Sequence, residues 1–149
     1  MGCSPHGELV VLLLHYCMHA GMNSGGLNIL VVDDELPITE SIRVILQNAG
    51  HSVDVVYDGE DALARLTELP DHYHILITDH MMKRVSGLEF LVELPVNVFK
   101  GRIIVLSGYL TPELDAKYRA LGVDRIMRKP FNADELCQAV EELRPVSAT

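Results

Sequence analysis

From Leu27 onward, short apolar runs alternate with stretches whose apolar positions recur at helical spacing. Leu27–Asp33 reads as a first strand. The next stretch has Pro37 near its first turn, with Ile42, Ile45 and Leu46 spaced to face a core, and Asn48-Ala49-Gly50 closes it as a helix. Val53–Tyr57 is a second strand. Asp58-Gly59-Glu60-Asp61 turns into a helix carrying Ala62, Leu63 and Leu66, and Pro70 bounds it. Tyr73–Thr78 is a third strand that runs into Asp79. Gly87 to about Val98 reads as a helix that Pro95 kinks or ends early. Arg102–Leu106 is a fourth strand that runs into Ser107-Gly108. Thr111-Pro112-Glu113 opens a helix that Gly122 ends, with Thr111 as cap. Asp124–Arg128 is a short fifth strand ending at Lys129-Pro130. A last helix runs from the cap residue Asn132 to about Leu143.

Strands that each precede a helix imply an α/β fold: a doubly wound, five-stranded parallel sheet with helices on both faces. In such sheets ligands bind beyond the carboxyl ends of the strands. That rule gathers Asp33, Asp34, Asp79, Ser107 and Lys129 on one rim. Adjacent aspartates at the end of a buried strand raise each other's pKa unless a cation neutralises them. Carboxylate oxygens suit a hard divalent ion. Singly, each of these residues is an ordinary turn or surface residue. Their order along four strand ends is the informative feature.

Composition narrows the class. A chain of 149 residues is one domain by default, and without Trp its core must be aliphatic. The formal net charge of −9 and the lack of a basic run argue against a nucleic-acid surface. Cys3, Cys17 and Cys137 are scattered and odd in number, which fits a reducing, cytoplasmic setting. No apolar run approaches the ~20 residues that cross a membrane. Residues 1–26 contain no Lys or Arg and read as an N-terminal arm or linker, either a short helix or disordered, with Asn23-Ser24-Gly25-Gly26 as a flexible join. His15, Cys17 and His19 form a weak soft-metal pattern within it. Residues 27–144 are the folded domain and 145–149 a C-terminal tail.

Asp33-Asp34, Asp79-His80-Met81-Met82 with Gly87, Ser107 and Lys129-Pro130-Phe131 together resemble the receiver domain of two-component response regulators, over about Leu27 to Leu143. The resemblance implies strand order 2-1-3-4-5, as in flavodoxin-like sheets. It implies that Asp79 accepts a phosphoryl group from a phosphohistidine. Mg²⁺, or Mn²⁺ in its place, would be held by Asp34, Asp79 and the backbone carbonyl of Met81, with Asp33 acting through a water. Lys129 and Ser107 would contact phosphoryl oxygens, and Pro130 would follow a cis peptide bond. The implied partners are a sensor histidine kinase or phosphotransfer protein and a downstream protein bound through the fourth helix, fifth strand and fifth helix. Leu110, Leu114, Tyr118 and Ile126 are candidates for that surface, though some of them must be core. A homodimer is a further possibility. Neither nucleic acid nor membrane is implied. The chain end just after the last helix leaves no room for a DNA-binding output domain, so a stand-alone or excised receiver is expected.

The chain departs from the family pattern in three places. Lys83 stands where the family usually has Pro, four residues after the nucleophile, so the loop is expected to be less rigid there, and Lys83-Arg84 adds positive charge near the rim. Ile126 stands where it usually has Phe or Tyr, three before the lysine, and Tyr109 is expected to supply part of the missing aromatic surface. Met81 and Tyr109 flank the path of an attacking water, and neither orients water well, so slow self-dephosphorylation is expected. His80 follows the nucleophile but is expected to aim away from it. A rival reading is a small Mg²⁺-dependent phosphohydrolase. Met81 argues against it, because such enzymes commonly place a second Asp two residues after the nucleophile. A receiver that folds but is never phosphorylated is a third reading.

Overall fold

The computed structural model describes residues 25–146; the His15, Cys17 and His19 pattern lies outside them. The strands are β1 (Asn28–Val32), β2 (Ser52–Val56), β3 (Ile75–Asp79), β4 (Arg102–Ser107) and β5 (Arg125–Arg128). The helices between and after them are α1 (Leu36–Asn48), α2 (Gly59–Glu68), α3 (Gly87–Glu93), α4 (Pro112–Ala120) and α5 (Ala133–Glu142). All strands pair in parallel in the order β2-β1-β3-β4-β5, the order expected.

Strand alternation divides the core into two layers. Ile29, Val31, Ile75, Ile77, Ile104 and Leu106 face one side, under Ile42 and Leu46 of α1 and Leu136, Ala139 and Val140 of α5. Leu30, Val32, Leu76 and Val105 face the other, under Ala62 and Leu66 of α2, Phe90 and Leu91 of α3 and Tyr118 of α4. The central strands are therefore apolar on both faces, which explains their unbroken hydrophobic runs.

Helix ends follow their local chemistry. Thr111 accepts a hydrogen bond from the Leu114 N–H, and Asn132 and Glu135 form a reciprocal capping box. Gly50, just past α1, has φ +95°, a conformation few other residues adopt cheaply. α3 is shorter than the span read from its apolar positions. It stops at Glu93, capped by Leu94, because Pro95 cannot continue it. The glycines read as linker touch the domain: Arg144 Nη1 donates to the Gly25 carbonyl at 2.8 Å. A Cβ on Gly26 would stand 2.2 Å from the Gly50 carbonyl oxygen.

Two histidines close the amino end of β1. His51 Nδ1 accepts from the Leu27 N–H at 3.1 Å, and His74 Nδ1 accepts from the Asn28 N–H at 2.9 Å. His51 is buried, with Nε2 3.4 Å from Glu141 Oε1. Burial pushes its pKa below the ordinary 6.5, against the opposing pull of Glu141. Unfolding therefore takes up a proton in acid. His51 contributes stability that is full above 6.5 and is lost as pH falls toward its folded value. Thermal melts from about pH 7.5 to about pH 5.5 should show a steeper loss in the wild type than in His51→Asn. Equal slopes would remove His51 from the account.

Candidate phosphoacceptor site

The site lies at the carboxyl rim of the sheet, and the backbone ladder carries its residues there. The Asp33 N–H donates to the Val56 carbonyl at 3.2 Å, the His80 N–H to Leu106 at 2.8 Å and the Lys129 N–H to Ser107 at 2.9 Å. Each strand thus stays paired at or just beyond its last residue, and the side chains inherit the sheet's rigidity. The Lys129–Pro130 bond is cis.

Asp33, Asp34 and Asp79 each offer a carboxylate oxygen, all within 4.8 Å of one another. Asp33 is 0% and Asp79 2% exposed, while Asp34 is half-buried. Lys129 Nζ lies 2.7 Å from Asp79 Oδ1 and 3.8 Å from Asp33 Oδ2. Asp33 Oδ1 accepts from the Glu35 N–H at 3.0 Å, but Oδ2 is buried with no hydrogen-bond partner. A buried carboxylate oxygen left this way is costly. Burial, with the Asp79 and Glu35 charges, pushes the Asp33 pKa from 3.8 up to about 6, against the Glu35 N–H and Lys129.

These donors fit a divalent cation: hard oxygens, converging, and one of them unsatisfied. The cluster is positioned to coordinate such a metal. Without metal, a raised pKa means that Asp33's contribution is fully present below 3.8 and lost as pH rises through about 6. Above that pH the metal-free fold carries a buried charge it does not fully satisfy. Asp33→Asn keeps the acceptor for Glu35 and should raise metal-free stability near neutral pH by about 1–3 kcal/mol. Urea unfolding in EDTA measures this, and a destabilised variant would contradict it.

The remaining rim residues are placed as follows. Ser107 is buried at the end of β4, and its hydroxyl donates to the Tyr109 carbonyl in its own loop. The Met81 and Tyr109 side chains are 70% and 73% exposed. His80 turns away from the rim, its Nδ1 hydrogen-bonded to the Tyr118 hydroxyl, with the rings edge-on at 5.6 Å between centroids. Tyr118, a candidate surface residue from the sequence, is 0% exposed and belongs to the core. Leu110, Leu114 and Ile126 are half-buried.

Gly87 explains how α3 reaches the site. A Cβ there would stand 2.3 Å from the Asp79 carbonyl oxygen. Its N–H donates to the His80 carbonyl at 2.9 Å and closes the loop after β3. Ser86 and Glu89 then cap α3 reciprocally. Two contacts of the loop after β3 are not legible as motifs, the His80–Tyr118 bond beneath the rim and a bond from the Lys83 N–H to Asp34 Oδ2 at 2.8 Å.

The family description "Response regulator receiver domain" matches residues 29–141, and the chain belongs to that family. The chain is 34% identical over 110 residues to the transcriptional regulatory protein DltR of Streptococcus agalactiae, covering 74% of this chain and 48% of that one. It is 32% identical over 120 residues to protein PilG of Pseudomonas aeruginosa, covering 79% and 87%. It thus spans about half the length of DltR and most of PilG. The chemotaxis protein CheY4 of Vibrio cholerae, crystallised at low pH, superposes with a TM-score of 0.72 at 27% identity, covering 80% of this chain and 99% of that one. A DrrB receiver domain activated with BeF₃ superposes with a TM-score of 0.68 at 27% identity, covering 79% and 97%. Family membership makes this a signalling phosphotransfer domain rather than a turnover enzyme. Among the described residues, no helix is long and apolar enough to cross a membrane.

Proposed function

We propose that Asp79 is the phosphoacceptor of a Mg²⁺-dependent receiver domain spanning residues 27–144. Most of the segments read as an N-terminal arm, 1–26, and a tail, 145–149, lies outside the described residues. One observation carries this reading: a buried carboxylate at the end of β3 sits 2.7 Å from a lysine ammonium, within an acidic cluster suited to a cation. An Asp79 carboxylate oxygen attacks the phosphorus of a partner's phosphohistidine. The new O–P bond forms as the P–N bond breaks, and the imidazole leaves with the electron pair and takes up a proton.

Asp33, Asp34, Asp79 and the Met81 carbonyl would hold Mg²⁺, or Mn²⁺ in its place. Bound there, the ion supplies positive charge that offsets phosphoryl and carboxylate repulsion. Lys129 moves its ammonium from Asp79 to a phosphoryl oxygen. Ser107 exchanges its bond to the Tyr109 carbonyl for another phosphoryl oxygen. That exchange frees the loop between β4 and α4, so phosphorylation biases a two-state element there. Output then passes to a protein bound at α4, β5 and α5, or to a second copy of the chain, with half-buried Leu110, Leu114 and Ile126 nearby. The exposed side chains of Met81 and Tyr109 offer no general base to an attacking water, consistent with a long-lived phosphoryl group.

The partner that supplies the phosphoryl group is a histidine kinase or a phosphotransfer protein, a reading supported by the regulators among the relatives. Incubation with acetyl phosphate should add a single phosphoryl group per chain in Mg²⁺ and none in EDTA, as read by intact-protein mass spectrometry. Continuous release of phosphate from a generic phosphomonoester would instead favour a phosphohydrolase.

A further inference from the structure

The loop between β3 and α3 is pinned in two places. Its ends are joined by the Gly87 N–H donating to the His80 carbonyl at 2.9 Å. Its middle is joined to the acidic cluster by the Lys83 N–H donating to Asp34 Oδ2 at 2.8 Å. The second bond comes from the backbone, and the Lys83 residue itself is exposed. A proline at this position has no N–H and could not make it.

We infer that Lys83 is a positioning residue for the cation site, acting through its backbone N–H, which fixes the Asp34 carboxylate for metal binding. The inference rests on the cation reading proposed above. Asp34 is the half-buried member of the cluster, and its neighbour Asp33 is locked by burial and by the Glu35 N–H. Asp34 therefore has the most freedom to lose when an ion binds. A bond to one carboxylate oxygen removes part of that freedom in advance and leaves the other oxygen available. Donors that hold a metal ligand in this way commonly account for a tenfold or greater share of affinity, roughly. The bond also ties the loop bearing Met81 to the occupancy of the site.

The ammonium and the N–H of Lys83 act in opposite directions, so they can be separated. The ammonium repels a nearby cation, and the N–H orients its ligand. Lys83→Ala removes only the ammonium and should leave Mg²⁺ affinity equal or higher. Lys83→Pro removes both and should weaken Mg²⁺ affinity about three- to tenfold. Mg²⁺ titrations of the ¹⁵N-labelled chain, followed by amide shifts, measure both variants. Shifts outside the loop report that the fold is intact.

Failure of the wild type to bind Mg²⁺ would overturn the cation reading itself. Binding by the wild type with equal affinity in Lys83→Pro and Lys83→Ala would overturn only the role of the N–H. A second measurement needs no proline. The Lys83 amide of the metal-free wild type should exchange at least about tenfold more slowly than in Asp34→Ala. An amide equally fast in both would overturn the inference even if Lys83→Pro fails to fold.

Discussion

Asp79→Asn should reduce phosphoryl uptake from acetyl phosphate by at least roughly a thousandfold, because the amide is not a competent nucleophile. The same change has a measurable effect on the resting site. Burial is the main cause that pushes the Asp33 pKa up to about 6 and the Asp79 charge a smaller one, so removing that charge should lower the Asp33 pKa part of the way. Lys129 loses its 2.7 Å partner and keeps only Asp33, at 3.8 Å. The variant should therefore fold, retain weakened cation binding through Asp33 and Asp34, and remain unphosphorylated. Carboxyl titration by NMR and intact mass read the two effects separately. Uptake at wild-type rates would show that another residue accepts the phosphoryl group.

Tyr118→Ala should destabilise the domain by about 3–5 kcal/mol, the range for deleting a large buried ring. Tyr118 is 0% exposed and is the one buried residue of α4, so it carries much of that helix's attachment to the sheet. Its hydroxyl also satisfies His80, the residue next to the proposed phosphoacceptor. Tyr118→Phe keeps the ring and removes that bond, and should cost about 1–2 kcal/mol by leaving His80 Nδ1 unpartnered. Burial and the Asp79 charge both hold the Tyr118 pKa above its ordinary value, so the hydroxyl stays protonated and able to donate. Urea unfolding of both variants measures the costs. A Tyr118→Phe variant as stable as the wild type would mean that the His80 bond adds nothing to the fold.

Much of the fold was legible because the three central strands are apolar runs that each end in a chemically distinct residue. Val32 gives way to Asp33, Thr78 to Asp79 and Leu106 to Ser107, while the end of β5 was marked by Lys129-Pro130. In a parallel sheet those ends share a rim, so the site could be assembled before any distance was known. Contacts without a local pattern stayed hidden. Tyr118 sits between Lys117 and Arg119 on a largely polar helix, and its spacing from Leu114 and Leu121 is the one sign that it faces the core. Its partner His80 lies 38 residues away. The Lys83 bond uses a backbone donor that almost any residue carries, so the missing Pro suggested only a looser, more basic loop and not one pinned to Asp34. The histidine acceptors at the start of β1 come from the residues leading into β2 and β3, and only the strand register brings them together. The outer bound of α3, about Val98, follows apolar spacing that continues past Pro95, but the expectation that Pro95 ends the helix early holds, since it stops at Glu93.

The central claim is that the phosphoryl group resides on Asp79, and locating the adduct chemically tests it. The wild type is phosphorylated with acetyl phosphate and Mg²⁺, reduced with borohydride, digested and sequenced by mass spectrometry. An acyl phosphate is reduced to the alcohol, so the account predicts homoserine at position 79 and at no other aspartate. A phosphoryl group found instead on Ser107, on His80 or on another carboxylate would contradict it.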